Sequence, residues 1–589
     1  MRVMRTAFEK ASALNVAFFF LTVILLEVTA TAVMARGSDL PNPSPKVVSV
    51  TEATHDGISK NNLLSDDSHL YLTEGLAAQV IAKVSLPSSA RSVITTPFPG
   101  VRVLDLSPDG TRLLVLAIHG KSADNELWSL PVGAGSPERL GDLTGRDAAW
   151  SHDGKQIVFS KGSILGVASS TGKQVRELFR ATGSVFAPRF SLDGKRIRFT
   201  VSDSDKNTTA LWETGRDGSS PHPLLANWQF GSNACCGSWS ADGHYYIFQV
   251  TQKVSHTDTT ITSLWALSDN GASTDERSSV PVALTDGPMS FGSASPGRDN
   301  KNIWAIGVRP AGEIVKYDLA RKEFVPVAGG VSATDVDFSS DEKWVTYVAL
   351  PEGTLWRSRA DGTQRLQLTA SPELAALPRW SPDGTQIAYV SMQPGKLGKI
   401  AIIAADGGTS YEILPDSGSQ IDVNWSPDGT RIMFGDFAHD DQGRSIQILD
   451  LQTHKAVAVP GSEQVFSPRW SPDGRYIAAL SRDNTALKLF DFRTQKWSDW
   501  LITAAGSVNY PVWSADSRSI YFDDFVNGDE SIRRVKMGEN NSERVFVLGR
   551  IDRYVGAFGP WSGRAPDGSW MFVRDRSTQE VYQLSVELP

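Results

Sequence analysis

The residues best suited to chemistry are two acidic stretches. Asp203–Asn207 (Asp-Ser-Asp-Lys-Asn) places oxygen ligands at alternate positions, as the start of a calcium loop does. Thr208 stands where such a loop needs glycine, and no glutamate closes the loop at its twelfth position. His439–Gly443 (His-Asp-Asp-Gln-Gly) has the composition of a solvated hairpin tip. Since the nine histidines also lack ligand spacing, we expect no metal site.

The two cysteines of the chain, Cys235 and Cys236, are adjacent. They could form a strained vicinal disulfide or a thiol-sensing site. Alternatively, they are two small residues that fill the approach to Trp239, and we favour this interpretation. A disulfide framework is absent in either case, so size and packing must stabilise the fold.

No motif of an appended catalytic domain is present. The sequence contains neither the Gly-x-Ser-x-Gly nucleophile elbow nor His-Glu-x-x-His. Because Pro589 lies about twenty residues after the last turn phrase, we expect no hydrolase domain after the repeats. We therefore predict a protein that is not an enzyme, with no catalytic, cofactor-binding or metal-binding residues and no cofactor.

One phrase recurs along the chain and predicts a β-hairpin. At Trp380–Gly384 (Trp-Ser-Pro-Asp-Gly), proline presets the first turn position, aspartate can bond its own backbone, and Gly384 can take the left-handed conformation. The next strand alternates apolar side chains on both faces, as a strand covered on both sides does. The phrase returns at Trp425–Gly429 and Trp470–Gly474.

The period of this phrase selects the architecture. The turn aspartates are Asp109, Asp153, Asp193, Asp242, Asp299, Asp341, Asp383, Asp428, Asp473, Asp516 and Asp567. Their mean spacing of about 46 residues is typical of a four-stranded propeller blade. Because an aspartate recurs in every unit, we interpret it as a turn residue and not as a catalytic group. A strand with Leu-Trp follows in several units, as at Trp128, Trp212, Trp265 and Trp356, and predicts packing between blades.

A degenerate unit at Asp66-Asp67 raises the count to twelve, which exceeds the four to eight blades of one ring. We therefore predict an all-β fold of two tandem β-propellers with about six blades each. The turn phrase is weakest around residues 295–342, and we place the boundary in the glycine-containing stretch 327–330. The expected propellers are residues 62–328 and residues 329–589.

The N-terminal residues differ from the repeats. Basic residues precede an apolar run from Leu14 to Leu26, and small residues follow, so residues 1–35 have the features of an export signal. The alternative is an uncleaved single-span anchor over residues 11–34, although Glu27 makes such a span costly. Residues 36–61 are rich in proline and polar residues and predict a flexible linker.

The charge of the chain argues against nucleic-acid binding. The formal net charge is -8 and the isoelectric point is near 5.7. A protein that follows a phosphate backbone needs a basic surface. We therefore expect no nucleic-acid partner.

The hairpin phrase, followed by a strand such as Ile387–Val390, resembles the WD40-like (PD40) propeller repeats of the TolB family over about 500 residues from Ser68 onward. Ala234–Trp239 and Pro351–Ser358 resemble large bacterial TolB-like propeller proteins. Many of those proteins carry an N-terminal winged helix and one membrane span. Only about ten residues precede the apolar run here, so we expect no winged helix, and the regulator function is not carried over.

The resemblance implies a non-catalytic, exported protein that binds a protein, a peptide or another ligand in the bacterial cell envelope. Its expected location is the periplasm, with possible attachment to the inner membrane through residues 11–34. One alternative is the periplasmic sensory domain of a membrane-anchored regulator that lacks its DNA-binding part. Another is a hydrolase or lyase whose site lies in a propeller channel, built from scattered loop residues.

Overall fold

The hairpin phrase forms the turn that its residues predict. In the computed structural model, Ser381 Oγ donates to Asp383 Oδ1 at 2.6 Å and accepts from the backbone N of Gln386 at 3.0 Å. Gly384 has φ of 71° and donates its N–H to the Ser381 carbonyl. The same serine–aspartate hydrogen bond occurs in nine hairpins. The turn role predicted for these aspartates is therefore confirmed.

The structure describes residues 44–589 except 76–78, 87, 120–123, 254–259, 270–279, 394–395, 438–444, 504–506, 525–529 and 550. The predicted signal or anchor at residues 1–35 and the acidic stretch at His439–Gly443 lie outside the described residues. Within the described residues, no helix has the length and apolar character needed to cross a membrane.

The described residues are mostly strand, with one 3-10 turn at Ala328–Gly330. The strands up to residue 309 are β1 (Lys46–Glu52), β2 (Lys60–Ser65), β3 (His69–Glu74), β4 (Val80–Ser85), β5 (Ala90–Ile94), β6 (Gly100–Leu106), β7 (Arg112–Ile118), β8 (Asn125–Pro131), β9 (Glu138–Gly145), β10 (Asp147–Trp150), β11 (Gln156–Lys161), β12 (Ile164–Ser169), β13 (Arg176–Arg180), β14 (Ser184–Phe190), β15 (Arg196–Asp203), β16 (Thr208–Gly215), β17 (His222–Pro223), β18 (Ala234–Trp239), β19 (Tyr245–Lys253), β20 (Thr260–Ser268), β21 (Val282–Ala283), β22 (Ser290–Pro296) and β23 (Asn302–Arg309).

The remaining strands are β24 (Gly312–Asp318), β25 (Glu323–Pro326), β26 (Ala333–Phe338), β27 (Trp344–Ala349), β28 (Thr354–Arg359), β29 (Leu366–Gln367), β30 (Leu374–Trp380), β31 (Gln386–Met392), β32 (Lys399–Ala404), β33 (Tyr411–Glu412), β34 (Ser419–Trp425), β35 (Arg431–Phe437), β36 (Ser445–Asp450), β37 (Lys455–Ala458), β38 (Val465–Trp470), β39 (Tyr476–Ser481), β40 (Ala486–Asp491), β41 (Lys496–Ile502), β42 (Val508–Trp513), β43 (Ser519–Asp524), β44 (Ser531–Lys536), β45 (Ser542–Val547), β46 (Ser562–Arg564), β47 (Trp570–Asp575) and β48 (Thr578–Glu587).

These strands form antiparallel sheets of four, which confirms the all-β propeller prediction. In the first propeller, the sheets begin with the inner strands β2, β6, β10, β14, β18 and β22. Each inner strand contacts the next, and β22 contacts β2, so the ring closes. In the second propeller, the inner strands β26, β30, β34, β38, β42 and β46 follow one another, and β24 of the last sheet contacts β26.

The sheet order divides the chain differently from the boundary expected after residue 328. The last sheet of the first propeller has the order β1-β48-β23-β22, and that of the second has the order β25-β24-β47-β46. Propeller 1 is therefore residues 46–309 with residues 578–587, and propeller 2 is residues 312–575. The second propeller is an insertion in the last sheet of the first, because antiparallel pairing of β48 with β23 closes the first ring.

The linker predicted at residues 36–61 also differs from the structure over its described part. Residues 46–52 form β1, the outermost strand of the last sheet, which pairs with β48. Residues 54–60 then lie against β48: Thr54 Oγ1 and Lys60 Nζ both donate to the carboxylate of Glu580, at 2.5 and 2.9 Å. Lys60 is fully buried, so this segment is part of the folded propeller.

The cores lie between neighbouring sheets, where apolar side chains of consecutive blades meet. One core joins Tyr71 and Ile81 of the first sheet to Val103 and Val115 of the next. Trp128, a residue of the Leu-Trp series, packs against this core and lies 5.0 Å from Phe98 between ring centroids. The packing role predicted for this tryptophan is therefore confirmed.

Candidate functional site

The inner strands of propeller 1 surround a cavity of about 1270 Å³. All six sheets contribute to its wall, through Asn62, Arg102, Asp147, Arg189, Cys236 and Ser295 among others. The lining extends from Gly100, where β6 begins, to Pro108, in the hairpin after β6. The cavity therefore follows the full length of an inner strand, and we call it the channel.

A β-bulge in the inner strands determines which side chains reach the channel. The residue four positions before the hairpin serine has positive φ in Ala187 (49°) and Cys236 (59°), and the pairing register shifts there. Asn62 and Ser293 have the same conformation in their sheets. Since a bulge breaks the alternation of faces and redirects a side chain, it places these residues along the channel wall.

The charged residues of the channel wall give it a positive balance. Four arginines line it: Arg102, Arg146, Arg189 and Arg298. Two carboxylates, Asp105 and Asp147, also line it, so the formal charge of the lining is +4 − 2 = +2 with His152 neutral. The whole chain has a formal charge of -8. The channel thus has the opposite sign to the protein that contains it.

Both carboxylates hold backbone groups of the next sheet. Asp147 Oδ2 accepts from the N–H of Ala187 at 3.0 Å, and Asp105 Oδ2 accepts from the N–H of Trp150 at 2.8 Å. Burial raises the pKa of Asp105, although Arg189 and the Trp150 N–H oppose this effect. Arg189 lies 3.8 Å from Asp147 through Nη1 and donates from Nη2 to the Leu104 carbonyl at 3.2 Å.

The other arginines have weaker internal partners. Arg102 donates from Nη2 to the backbone carbonyl of Arg146, and its Nε is buried without a hydrogen-bond partner. Arg146 Nε lies 3.6 Å from Asp124 Oδ1, too far for a hydrogen bond. Arg298 is exposed in the hairpin between β22 and β23. These guanidinium groups retain hydrogen-bonding capacity toward a ligand.

The cysteine pair lies in the wall of the same channel. Cys235 is a buried thiol that accepts from Gln249 Nε2 at 3.3 Å, whereas Cys236 is half-buried and lines the cavity. Hydrogen bonding between the thiols lowers the pKa of Cys235 and, together with burial, raises the pKa of Cys236. The packing interpretation fits Cys235, while the bulge exposes Cys236 to the channel.

The acidic stretch at Asp203–Asn207 is a hairpin tip that satisfies its own carboxylate. Asp203 accepts from the N–H groups of Asp205 and Lys206 and pairs with Lys206 Nζ at 2.9 Å. Across the described ranges, no three histidine, cysteine, aspartate or glutamate side chains cluster as metal ligands would.

Propeller 2 contains buried charged groups that pair with one another. Asp422 accepts from Arg469 Nη1 at 2.9 Å and from Ser467 Oγ at 2.6 Å. Arg553 Nη2 similarly contacts Asp523 Oδ2 at 2.7 Å. Asp422 and Arg469 are both buried, so each charge is largely neutralised by the other. The channel of propeller 1 is therefore the better candidate for a binding site.

Sequence reasoning missed the channel arginines. Arg102 and Arg146 each stand five residues before a hairpin serine, whereas Arg189 stands two residues before one. Arg189 belongs to a Pro-Arg-aromatic-Ser motif that returns at Arg379 and Arg469, whereas Arg102 and Arg146 have no such motif. The local signal that could have found them is an arginine within five residues of the hairpin phrase.

Comparisons with known proteins find one short sequence match and several solved structures of low identity. No family model matches the chain. The Tol-Pal system protein TolB of Albidiferax ferrireducens is 46% identical over 54 residues, which is 9% of this chain and 13% of that protein's length. The chain is thus similar to TolB over a short stretch.

Solved structures of low sequence identity also match. Putative TolB from Agrobacterium tumefaciens has a TM-score of 0.38 and 19% identity, over 45% of this chain and 98% of its own. The tricorn protease has a TM-score of 0.31 and 14% identity, over 82% and 50% of the two chains. An oligogalacturonate lyase in complex with manganese has a TM-score of 0.28 and 14% identity, over 59% and 88%.

Proposed function

We propose that this chain is an exported, non-catalytic binding protein of the bacterial cell envelope, and that the channel of propeller 1 receives a segment of a partner protein. The observation that carries the proposal is the cavity of about 1270 Å³ that follows the inner strands of all six sheets. A concave, largely preformed site with a few convergent polar groups is the usual form of a binding site.

The chemistry of the channel favours binding over catalysis. Its two carboxylates, Asp105 and Asp147, accept hydrogen bonds from backbone N–H groups of the adjacent sheet. A general acid or base needs a carboxylate that can reach the reacting group and exchange a proton with it. These two groups instead hold the blades together, which leaves the arginines as the groups available to a ligand.

The export part of the proposal rests on the N-terminal sequence. A basic start, an apolar run and small residues at positions 30–35 have the pattern of a cleaved signal. The measurement is the N-terminal residue of the protein from the envelope fraction of its host. A mature start near Arg36 in the soluble periplasm is expected, whereas an intact Met1 in the membrane fraction would favour the anchored regulator.

Site-specific photo-crosslinking tests the binding site. A photoreactive residue is placed at Leu192, which lines the channel, or at Val457, which is 65% exposed on the outer edge of propeller 2. We expect Leu192 to capture a discrete envelope protein in living cells and Val457 to capture none. Capture of the same partner at Val457 but not at Leu192 would place the binding surface outside the channel.

A further inference from the structure

We propose that the channel of propeller 1 binds an acidic peptide segment, with Arg102, Arg146, Arg189 and Arg298 as the groups that recognise its carboxylates. This inference rests on the proposed function and specifies the chemistry of the partner. Its central observation is a channel lining of formal charge +2 inside a chain of formal charge -8.

The geometry of the channel concentrates this positive charge. A cleft lined by one sign of charge and walled by a low-dielectric protein focuses the field and raises the local concentration of oppositely charged ligands. Asp105 and Asp147, the two opposing groups, are half-buried and already accept backbone hydrogen bonds. They therefore reduce the positive charge of the lining but do not block access to the arginines.

The arginines are distributed along the path that a ligand would take. Arg298 is exposed in a hairpin at one end, and its Nη2 extends toward Gly110 of the neighbouring hairpin. Arg189 lies within β14, while Arg102 and Arg146 lie near the starts of β6 and β10. Guanidinium groups bind carboxylates through paired N–H donors, so several carboxylates spaced along an extended chain can be held together.

The rest of the lining suits a peptide better than an acidic polysaccharide. Half-buried aliphatic side chains line the channel between the arginines: Leu64, Leu106, Ile118 and Leu192. They can cover the apolar side chains that alternate with acidic ones in an extended peptide. The seven residues of β6 span roughly 23 Å, which matches about seven residues of extended peptide.

Cys236 provides a reporter for the sign of the channel potential. In a Cys235→Ser background it is the single thiol of the chain, and it lies on the channel wall. The anionic reagent MTSES and the cationic reagent MTSET both form a mixed disulfide with its thiolate and release methanesulfinate. The ratio of their rates, each normalised to a free thiol, therefore cancels the thiolate fraction and reports the local potential.

We expect MTSES to modify Cys236 about tenfold faster than MTSET at low salt, at the lower end of the effect of charge-lined clefts. The preference should fall in 1 M salt, where the Debye length shortens to about 3 Å. Arg102→Gln and Arg146→Gln should each lower the ratio of the MTSES rate to the MTSET rate roughly threefold. Arg180→Gln, at a guanidinium that is 58% exposed on the outer strand β13, is the matched control and should leave it unchanged.

Binding of defined probes tests the ligand class on the full chain. Labelled hexaglutamate should bind and protect Cys236 from MTSES, and both effects should weaken in Arg102→Gln. Hexalysine should do neither. Binding of oligogalacturonate without hexaglutamate would overturn the peptide assignment in favour of an acidic sugar.

The two proposals fail in distinguishable ways. Equal rates for MTSES and MTSET, or faster MTSET, would overturn the anionic ligand even if Leu192 captures a partner in cells. Conversely, an MTSES preference with hexaglutamate binding but no capture at Leu192 would support the acidic-ligand site and contradict the envelope-partner function. The salt series uses no arginine substitution, so this test of the channel potential remains valid even where an arginine variant fails to fold.

Discussion

The serine of the repeated hairpin is the residue on which each turn depends. Ser426 is fully buried, and its Oγ donates to Asp428 at 2.6 Å while it accepts from the Arg431 N–H at 2.9 Å. The hydrogen bond from Ser426 is the main reason that the pKa of Asp428 falls to about 2. One hydroxyl therefore joins the turn carboxylate to the backbone of the outgoing strand.

We expect Ser426→Ala to destabilise propeller 2 by about 1–3 kcal/mol, because it leaves a backbone N–H and a carboxylate without their shared partner. At about 2–4 °C per kcal/mol for a domain of this size, scanning calorimetry should resolve the shift in melting temperature. The control is Ser136→Ala at an exposed position, which should stay within about 0.5 kcal/mol of the parent protein. If the two substitutions lower the melting temperature equally, the Ser426 hydroxyl does not stabilise the turn in this way.

At the residue scale, the turns could be predicted from the sequence and the channel could not. Serine, proline, aspartate and glycine each have a local reason to occupy their turn positions. Arg102, by contrast, lines the channel because of its place on an inner strand and the closure of the ring. A period-two pattern cannot report which face a residue takes once a bulge has broken the alternation.

At the element scale, residues 54–60, which connect β1 to β2, are held against the last sheet of propeller 1 by hydrogen bonds. Glu580, on β48, accepts from the Gly57 N–H at 2.6 Å as well as from Thr54 and Lys60. Lys60 Nζ also contacts Asp56 Oδ1 at 2.5 Å. Because Lys60 and Glu580 are both buried, each depends on the other to neutralise a charge removed from water.

We expect Lys60→Met to destabilise propeller 1 by about 3–5 kcal/mol, because it leaves the Glu580 carboxylate buried without its cation. The double variant Lys60→Met/Glu580→Gln should cost less than the single one, since it removes both charges. Chemical denaturation of the three proteins measures the difference. A double variant that is less stable than Lys60→Met would contradict a dominant role for the unpaired charge.

At the scale of the whole molecule, two antiparallel strand pairs, β23 with β48 and β24 with β47, connect one propeller to the other. Arg309 pairs with Thr578 and Gly312 pairs with Asp575, so β23 and β24 face β48 and β47 in one antiparallel register. Arg576 N–H also donates to the Ala311 carbonyl at 2.8 Å between them. Each propeller is thus closed by strands that lie far apart in sequence.

The repeat predicted the blades, but it could not predict this connectivity. Every unit has similar hairpins and outer strands, so no local pattern distinguishes a strand that ends one ring from a strand that begins the next. The pairing of β23 with β48 joins residues about 270 positions apart, and only ring closure selects it. The expected boundary at residues 327–330 therefore falls just after β25, which belongs to the last sheet of propeller 2.

Two fragments with different boundaries test the insertion directly. Residues 312–575 contain every strand of propeller 2, and their ends are paired neighbours, so we expect this fragment to be monomeric and to unfold cooperatively. Residues 329–589 lack β24 and β25 and carry β48 without its partners β1 and β23. We expect that fragment to aggregate, because its last sheet keeps two strands and exposes an open edge.

The remainder of the chain provides the complementary measurement. Residues 44–309 joined to residues 578–589 through an Asn-Gly turn should form propeller 1 alone, because Arg309 and Thr578 are already paired. Circular dichroism melts and size-exclusion chromatography compare all three proteins. If the fragment 329–589 is monomeric and unfolds cooperatively while the fragment 312–575 aggregates, the two rings close in tandem. The opposite result establishes that one propeller interrupts the other, since only a fragment with intact closing sheets has no unpaired strand.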